Sequence, residues 1–148
     1  MDGPASYACN CGALRKATRR LSQIYDAAIA PAGLKSTQYA ILSEIDRTGS
    51  RAPTIGELAD LLVMDQSTVG QNLRPLEREG LIKLVRDDAD SRRRLATLTR
   101  KGRARLDAAR PLWRKAQDHF EDRFGRERAA ALRESLLGIA FDPQLSAI

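Results

Sequence analysis

The chain has 148 residues, 43% hydrophobic and 30% charged, and 25 Lys and Arg against 19 Asp and Glu give a net charge of +6. This length suits one domain with a sizeable core, and the basic balance favours a polyanionic partner. No apolar run approaches the roughly 20 residues that span a membrane, and the N-terminus lacks the charged-then-apolar pattern of a signal peptide. We therefore expect a cytoplasmic protein with no membrane partner.

Two helices are predicted in the first third of the chain. Apolar spacing predicts a helix from Cys11 to about Ile29, ended by Pro31 and Gly33. Residues 36–47 form the next predicted helix, and the turn formers of residues 48–53 predict a loop. The apolar stripe of the first helix consists of Leu14, Ala17, Leu21, Ile24 and Ala28.

The following segment has the pattern of a helix-turn-helix. Thr54 and Glu57 form a capping box that begins a short helix ending near Leu62. A tight turn at residues 63–64 leads to Asp65, a good N-cap for a second helix. In such a motif the second helix is the one that reads DNA.

The second helix of this motif is apolar on one side and polar on the other. Val69, Leu73 and Leu76 recur at helical spacing, Gly80 ends the helix, and Pro75 should bend its last turns. Its other face suits base edges in a major groove, although alone it fits a solvated amphipathic helix equally well. The candidate DNA-reading residues are Gln66, Ser67, Thr68, Gln71 and Arg74.

A basic β-hairpin is predicted directly after this helix. Residues 81–86 form a strand, residues 87–91 a turn, and residues 92–98 the returning strand. A basic hairpin in this position is a wing, able to lay an arginine into a minor groove, and Asp90 is placed to orient Arg92 or Arg94. The candidate arginines of the wing are Arg86, Arg92, Arg93 and Arg94.

The chain ends in two predicted helices. Thr99 caps a long helix to about Phe124, which Pro111 should kink, and a last helix runs from about residue 127 to residue 140. The first and last helices are too apolar for the ends of a small monomer, so we expect an isologous homodimer. Such a dimer would read a pseudo-palindrome with half-sites roughly 10 bp apart.

Three motifs resemble the MarR family of winged-helix transcriptional regulators over roughly residues 11 to 140. They are Arg86-x-x-x-Asp90-x-Arg92, Leu98-Thr99-x-x-Gly102 and Gly33-Leu34-x-x-x-Gln38-Tyr39-x-x-Leu42. One departure is Lys35, where the family often has a capping Thr, and we expect Ser36 to serve as the cap instead.

The resemblance implies a mainly α fold with a small β-hairpin wing. Residues 1–148 would be a single domain, with a winged helix-turn-helix at about 36–99 flanked by dimerisation helices at about 11–32 and 100–148. It also implies a homodimeric repressor of a pseudo-palindromic operator in double-stranded DNA, released by a small-molecule effector or by thiol oxidation.

Two cysteines offer a candidate redox sensor. Cys9 and Cys11, with the distant His119 as the single histidine, predict neither a structural disulfide nor a metal site. Some MarR-family members sense organic hydroperoxides or hypochlorite through a cysteine near the start of the first helix. Cys11 falls on that position and Tyr25 on one of two tyrosines that bond it, while Ser36 replaces the second. The other interpretation of Cys11 is a small buried residue at the dimer seam.

Enzymatic chemistry finds little support. The sequence has no Gly-rich phosphate loop and no nucleophile elbow, so we expect a non-enzyme that uses no cofactor. One alternative is a peroxide-reactive enzyme with Cys9 and Cys11 as attacking and resolving thiols. The other is an architectural protein that binds DNA by charge and shape without sequence preference.

Overall fold

A computed structural model describes residues 8–147. In that range six helices and one antiparallel hairpin follow the predicted order, so the expected fold class, mainly α with a small β-hairpin wing, is confirmed. The elements are α1 (Asn10–Ile29), α2 (Ser36–Arg47), α3 (Ile55–Leu62), α4 (Gln66–Arg78), β1 (Ile82–Arg86), β2 (Arg94–Leu98), α5 (Arg100–Phe124) and α6 (Arg126–Ala140). Short 3-10 turns follow α1 at Ala30–Ala32 and α6 at Pro143–Ser146.

The helix ends around the helix-turn-helix are those that the sequence predicts. The Thr54 hydroxyl accepts from the Glu57 amide at 3.0 Å, and the Glu57 carboxylate accepts from the Thr54 amide at 2.9 Å, which closes the capping box of α3. At the end of α4, Gly80 adopts φ 72°, a left-handed conformation that favours glycine. The Leu81 amide then donates to the Leu76 carbonyl at 2.9 Å, so the chain leaves α4 in a Schellman turn.

The start of α2 differs from the prediction, because Ser36 is not its cap. Lys35 occupies the N-cap position, and its amide donates to the Gln38 side chain at 3.0 Å. Ser36 is the first helical residue, and its amide donates to the Asp26 carboxylate of α1 at 2.6 Å. A carboxylate of the preceding helix therefore accepts from a first-turn amide of α2, and this bond fixes α2 to α1.

The wing is the hairpin of residues 82–98, paired from Ile82 with Leu98 to Arg86 with Arg94. Thr54 adds a single bridge to Leu95, which ties the start of α3 to the hairpin. The predicted return strand is too long, since β2 begins at Arg94 and not at residue 92. The reason is a turn in which the carbonyl of Asp90 accepts from the amide of Arg93 at 2.9 Å.

The buried core lies in the middle of the chain. It joins α2, α3, α4 and the hairpin to the first half of α5, and we call residues 36–110 the winged lobe. The fully enclosed large side chains of this region are Ile41, Leu42, Leu58, Val69, Leu73, Leu76, Leu81, Ile82 and Leu106. Pro75 and Pro111 lie inside α4 and α5, and each helix continues past its proline.

The terminal helices have little core of their own. Ile29 is the one buried residue of α1 among the described residues, and Ala129 is the one buried residue of α6. Leu137 and Ile139 of α6 are 53% and 50% exposed in the single chain. No helix in the described range combines the length and apolar content that crossing a membrane requires.

Candidate nucleic-acid interface

The α4 helix is held by its apolar face, and its polar face points outward. Val69, Leu73 and Leu76 are 0% exposed, so the opposite side of the helix is turned to solvent. Four of the predicted reading residues are exposed there: Gln66, Ser67, Gln71 and Arg74. Within residues 8–147, none of these four side chains takes part in a hydrogen bond or an ion pair. Their donors and acceptors are therefore available to a ligand.

Thr68, the fifth predicted reading residue, has a structural task at the start of α4. Its hydroxyl donates to one carboxylate oxygen of Asp65 at 2.7 Å, and its amide donates to the other oxygen at 2.8 Å. The hydroxyl bond, followed by the amide bond, lowers the pKa of Asp65. Thr68 therefore has no free hydroxyl proton for a base, and its oxygen remains an acceptor only.

The wing arginines are oriented by Asp90. Its carboxylate accepts from the Arg92 amide at 3.0 Å and from the Arg92 Nε at 3.2 Å, and it lies 3.7 Å from the Arg93 Nε. Of the two arginines proposed for this contact, Asp90 holds Arg92 and not Arg94. The backbone bond from Arg92 is the main cause that lowers the pKa of Asp90. The side chain of Arg92 is still 89% exposed, so it is oriented without being covered.

One groove brings the wing and the start of α4 together, and we call it the wing–helix groove. Gln66, Ser67 and Gly70 of α4 line one side, and Arg92, Arg93 and Arg94 of the wing line the other. Arg86 pairs with Arg94 across the ladder. The two predicted parts of the site, the start of the polar helix face and the cluster of wing arginines, are therefore neighbours in space.

The start of α3 also lines this groove, a contact that the sequence pattern does not predict. Thr54 and Gly56 lie there beside Gln66. A Cβ on Gly56 would come within 3.3 Å of the Gln66 Nε2, so the glycine makes room for the Gln66 amide. The capping box could have indicated this contact, because it places Gly56 in the first turn of a helix that packs beside α4.

The Leu98-Thr99-x-x-Gly102 motif proves to be a joint between α5 and the end of α4. The Thr99 hydroxyl donates to the Gly80 carbonyl at 2.5 Å, and the Thr99 amide donates to the Leu81 carbonyl at 3.0 Å. A Cβ on Gly102 would lie 1.9 Å from that same Leu81 oxygen, which is a severe clash. Only glycine therefore lets α5 approach this closely, and the contact fixes α5 against the hairpin base.

The two cysteines lie at the start of α1, and both are exposed and unpaired in the chain. Cys9 is the N-cap, and its Sγ accepts from the Gly12 amide at 3.4 Å, while Cys11 lies in the first turn. Both thiols are therefore accessible to a soluble oxidant in the single chain. The alternative in which Cys11 is buried needs a second copy to cover it.

Tyr25 is not brought to Cys11 within one chain. The two residues lie on the same helix, separated by about 21 Å along its axis. The Tyr25 hydroxyl donates to the Gln117 side chain of α5 at 2.5 Å, and burial raises the pKa of Tyr25. His119 is exposed on α5, and no cluster of His, Cys, Asp and Glu in residues 8–147 could hold a metal ion.

The fold is a helix-turn-helix followed by an arginine-bearing hairpin. The polar face of α4 and the arginines of the hairpin line one groove, and this arrangement defines a winged-helix DNA-binding protein. Comparison with known proteins identifies its family. The MarR family model matches residues 32–93. HosA, a transcriptional regulator of Escherichia coli, is 33% identical over 95 residues, which cover 64% of this chain and 68% of HosA.

Two further relatives agree with this assignment. BadR of Rhodopseudomonas palustris, a transcriptional activatory protein, is 32% identical over 77 residues. These cover 51% of this chain and 44% of BadR, so the match spans less than half the length of that relative. The structure of the M. tuberculosis regulator MosR in complex with DNA is 32% identical, with a TM-score of 0.84 over 95% of this chain and 99% of MosR. The chain belongs to the MarR family of transcriptional regulators.

Proposed function

We propose that the protein is a homodimeric repressor that binds a pseudo-palindromic operator and is released from it by a small-molecule ligand or by thiol oxidation. The observation that carries this proposal is the wing–helix groove, where exposed arginines flank a helix face on which Gln66, Ser67, Gln71 and Arg74 have no side-chain partner within residues 8–147. As a DNA-binding regulator, the protein would act in the cytoplasm. Residues 1–148 would work as one MarR-like domain.

In the proposed complex α4 lies in the major groove. Gln66, Ser67 and Gln71 stand on its exposed face and carry both donors and acceptors, as base-edge recognition requires. Thr68 would accept a hydrogen bond near the backbone, since its own proton is held by Asp65. Arg74, one turn further along, would contact a phosphate or a guanine.

The wing would lie in the adjacent minor groove. Asp90 holds the Arg92 guanidinium at the tip of the hairpin, and a positioned cation loses less conformational entropy on binding than a mobile one. The minor groove has the most negative potential where it is narrow, so an arginine there senses DNA shape. Arg86, Arg93 and Arg94 would supply the surrounding positive charge.

The homodimer would form through α1, α6 and the second half of α5. Leu137 and Ile139 expose about half of their surfaces, and Leu14 of α1 is 37% exposed. A second copy related by a two-fold axis would cover this apolar surface on both chains at once. Two winged lobes would then present two α4 helices to half-sites about 34–36 Å apart.

Repression would follow from the dimer occupying its operator. A dimer engaged at two successive half-sites covers about two turns of the duplex, and it blocks polymerase at a promoter that overlaps this stretch. The test is a reporter gene driven by the bound promoter, with and without the regulator. Lower expression with the regulator present is expected, and higher expression would make it an activator, as BadR is described.

Release would act through the separation of the two reading helices. Affinity depends on both half-sites being engaged together, so a small change in their spacing removes most of the binding energy. Oxidation of Cys9 or Cys11, or a ligand lodged between the dimerisation helices and the winged lobes, would impose such a change. Tyr25 is fixed to α5 through Gln117 and would stand opposite a cysteine only across the dimer.

A mobility-shift experiment tests the proposal on the intergenic DNA upstream of the protein's own gene. Binding is measured with reduced protein and after organic hydroperoxide, with Cys11→Ser and Cys9→Ser alongside. Specific binding that oxidant abolishes in the wild type, but not in one of the serine variants, supports the thiol switch and names the reactive cysteine. Specific binding that ignores the oxidant supports the ligand-released repressor instead.

Because both thiols are exposed, a peroxide-reactive enzyme is the alternative function, and the same samples test it. A sensor reacts once with peroxide, whereas an enzyme consumes many equivalents in the presence of a reductant. Sustained peroxide consumption would therefore replace the proposal. Equal affinity for random DNA would replace it with architectural binding, because a specific site is bound about a thousandfold or more tighter.

A further inference from the structure

A single carboxylate at the end of α2 is held by two arginines of α5. The Arg103 Nη1 donates to one oxygen of Asp46 at 2.7 Å, and the Arg110 Nη2 donates to the other oxygen. We call these three residues the Asp46 clamp. The partners are far apart in sequence, so the clamp is a tertiary contact between α2 and α5 and not a local helix pair.

The clamp gives α2 and α5 an attachment point in addition to their shared core. Arg103 and Arg110 are seven residues apart on α5, which places them on one face about 10 Å from each other. Both links meet at the single Asp46 carboxylate, so they hold the end of α2 at one point on α5. The core that α2 shares with α5, through side chains such as Ile45 and Leu106, holds the helix at another point, and the two attachments together resist rotation of α2. Leu106, 0% exposed, lies between the two arginines in sequence and packs in the core on the same side.

The electrostatic surroundings favour the charged form of Asp46. Its side chain is 20% exposed, less than that of either arginine. The hydrogen bond from Arg103 is the main cause that lowers the pKa of Asp46. Arg110 is braced in turn by Asp107, whose carboxylate accepts from its Nε at 3.3 Å. Without the Asp46 carboxylate, two cations would face each other across the gap that it fills.

We propose that Asp46 is a positioning residue for operator recognition. It sets the angle between α2 and α5, and in the dimer this angle sets the distance between the two α4 helices, because α4 packs in the same core as α2. The inference rests on the proposed function, because spacing has meaning only for a dimer on paired half-sites. Asp46 touches no DNA in this arrangement and acts through the orientation of the lobe.

Operator spacing is the property that this angle controls. Moving one half-site by one base pair shifts it by about 3.4 Å along the duplex and also rotates it around the axis. A rigid lobe cannot follow such a shift, so a clamped dimer should bind only one spacing well. A lobe that pivots would tolerate several spacings, because it adjusts each α4 to its half-site.

The experiment compares spacing selectivity in matched variants. Duplexes are first selected from a random pool by the wild-type protein, and the selected site is then remade with its half-sites one base pair closer and one base pair further apart. Asp46→Asn is compared with Glu44→Gln. Glu44 lies on the same helix and pairs with Arg47 at 3.1 Å within that helix, so its loss makes the same charge change without a link to α5.

The expected result is a loss of selectivity in Asp46→Asn alone. The ratio of dissociation constants between the shifted and the selected duplexes should fall about three- to tenfold, which corresponds to the net contribution of one typical hydrogen bond. Glu44→Gln should keep the wild-type ratio. Arg103→Gln, which leaves the Arg110 contact in place, should give an intermediate ratio and carries the test if Asp46→Asn does not fold.

The outcomes separate this inference from the proposed function. If the variants bind all three duplexes more weakly by one common factor, Asp46 supports folding and has no role in spacing, and the inference is wrong. If the wild-type protein selects no duplex at all, the proposed function itself fails. Selection by the wild type together with unchanged ratios in every variant overturns the inference and leaves the repressor proposal intact.

Discussion

The winged lobe and the terminal helices are built in different ways. In the lobe, each of the elements α2, α3 and α4 buries two or more apolar side chains completely or nearly so. In the terminal helices, α1 buries Ile29 and α6 buries Ala129, although both helices are longer than any element of the lobe before α5. The lobe therefore carries its own core, whereas the terminal helices leave apolar surface that the chain does not cover.

The polar contacts differ in the same way. In the lobe many of them are helix caps and tight turns, such as Thr54 with Glu57 and Asp65 with Thr68, and these stand beside the ion pairs of the Asp46 clamp. Near the terminal helices they are ion pairs on the surface, where Glu121 of α5 meets Arg126 and Arg133 of α6. Ion pairs made by exposed arginines contribute little to stability, so we expect the terminal helices to gain stability from apolar burial in the proposed homodimer.

The largest expected effect comes from the terminal helices. Leu137→Glu combined with Ile139→Glu should weaken the dimer by about a hundredfold or more, because burying each apolar side chain stabilises by about 1.5–3 kcal/mol. Sedimentation equilibrium measures the change. The control is Thr37→Glu with Ala40→Glu on the exposed face of α2, which adds the same charge to the lobe. Equal self-association in both double variants would refute this dimer interface.

The second expected effect is on the lobe itself. Gly102→Ala should lower the free energy of unfolding by about 1–3 kcal/mol, since its Cβ would lie 1.9 Å from the Leu81 carbonyl oxygen and overpacking costs this much. Chemical denaturation measures it. Gly138→Ala on α6 meets nothing within 4 Å and should instead stabilise by up to about 1 kcal/mol. A fully stable Gly102→Ala would show that α5 can move away from the hairpin base.

Features that depend on near neighbours in sequence were predictable. The caps Thr54, Asp65 and Thr99 and the stop at Gly80 follow from chemistry within four residues, and the structure confirms each of them. Ser36 was mispredicted because its amide partner, Asp26, belongs to the preceding helix. Local sequence preferences cannot predict a hydrogen bond to a carboxylate on another helix.

The same limit applies to the candidate site. The reading face of α4 could be predicted from periodicity, because the apolar face fixes which side is exposed. The length of the wing strands was harder to predict. Arg92 and Arg93 fit the pattern of a strand, but hydrogen bonds to Asp90 place both in the turn. The Asp46 clamp was missed altogether, because it joins residues 57 and 64 positions apart.

A third prediction tests whether Arg92 of the wing contacts DNA directly. Arg92→Ala should weaken binding to the selected duplex by about 1–3 kcal/mol and flatten the salt dependence. Arg114→Ala, an exposed arginine of α5 outside the wing–helix groove, removes the same charge and should change the affinity far less. Binding is measured by fluorescence anisotropy over a salt series. If the two variants lose the same affinity, Arg92 acts through net charge and not through a contact in the groove.

The smallest expected effect is the loss of stability in acid that the Asp46 clamp causes. Because the pKa of Asp46 is lowered in the folded chain, chiefly by its bond to Arg103, the unfolded chain takes up a proton at this carboxyl first as the pH falls. Its stabilisation is complete above the ordinary aspartate pKa of about 3.9, and it is lost as the pH drops through the lowered value.

Unfolding curves between pH 5 and pH 3 measure this contribution. Asp46→Asn has no carboxyl to titrate there and should lose less stability over this interval than the wild type does. Arg103→Gln should fall in between, since it removes the main cause of the lowered pKa. Arg47→Gln removes a cation from the same helix without touching the clamp and should follow the wild-type curve. If Asp46→Asn also followed the wild-type curve, the Asp46 carboxylate would contribute no pH-dependent stability to the folded chain.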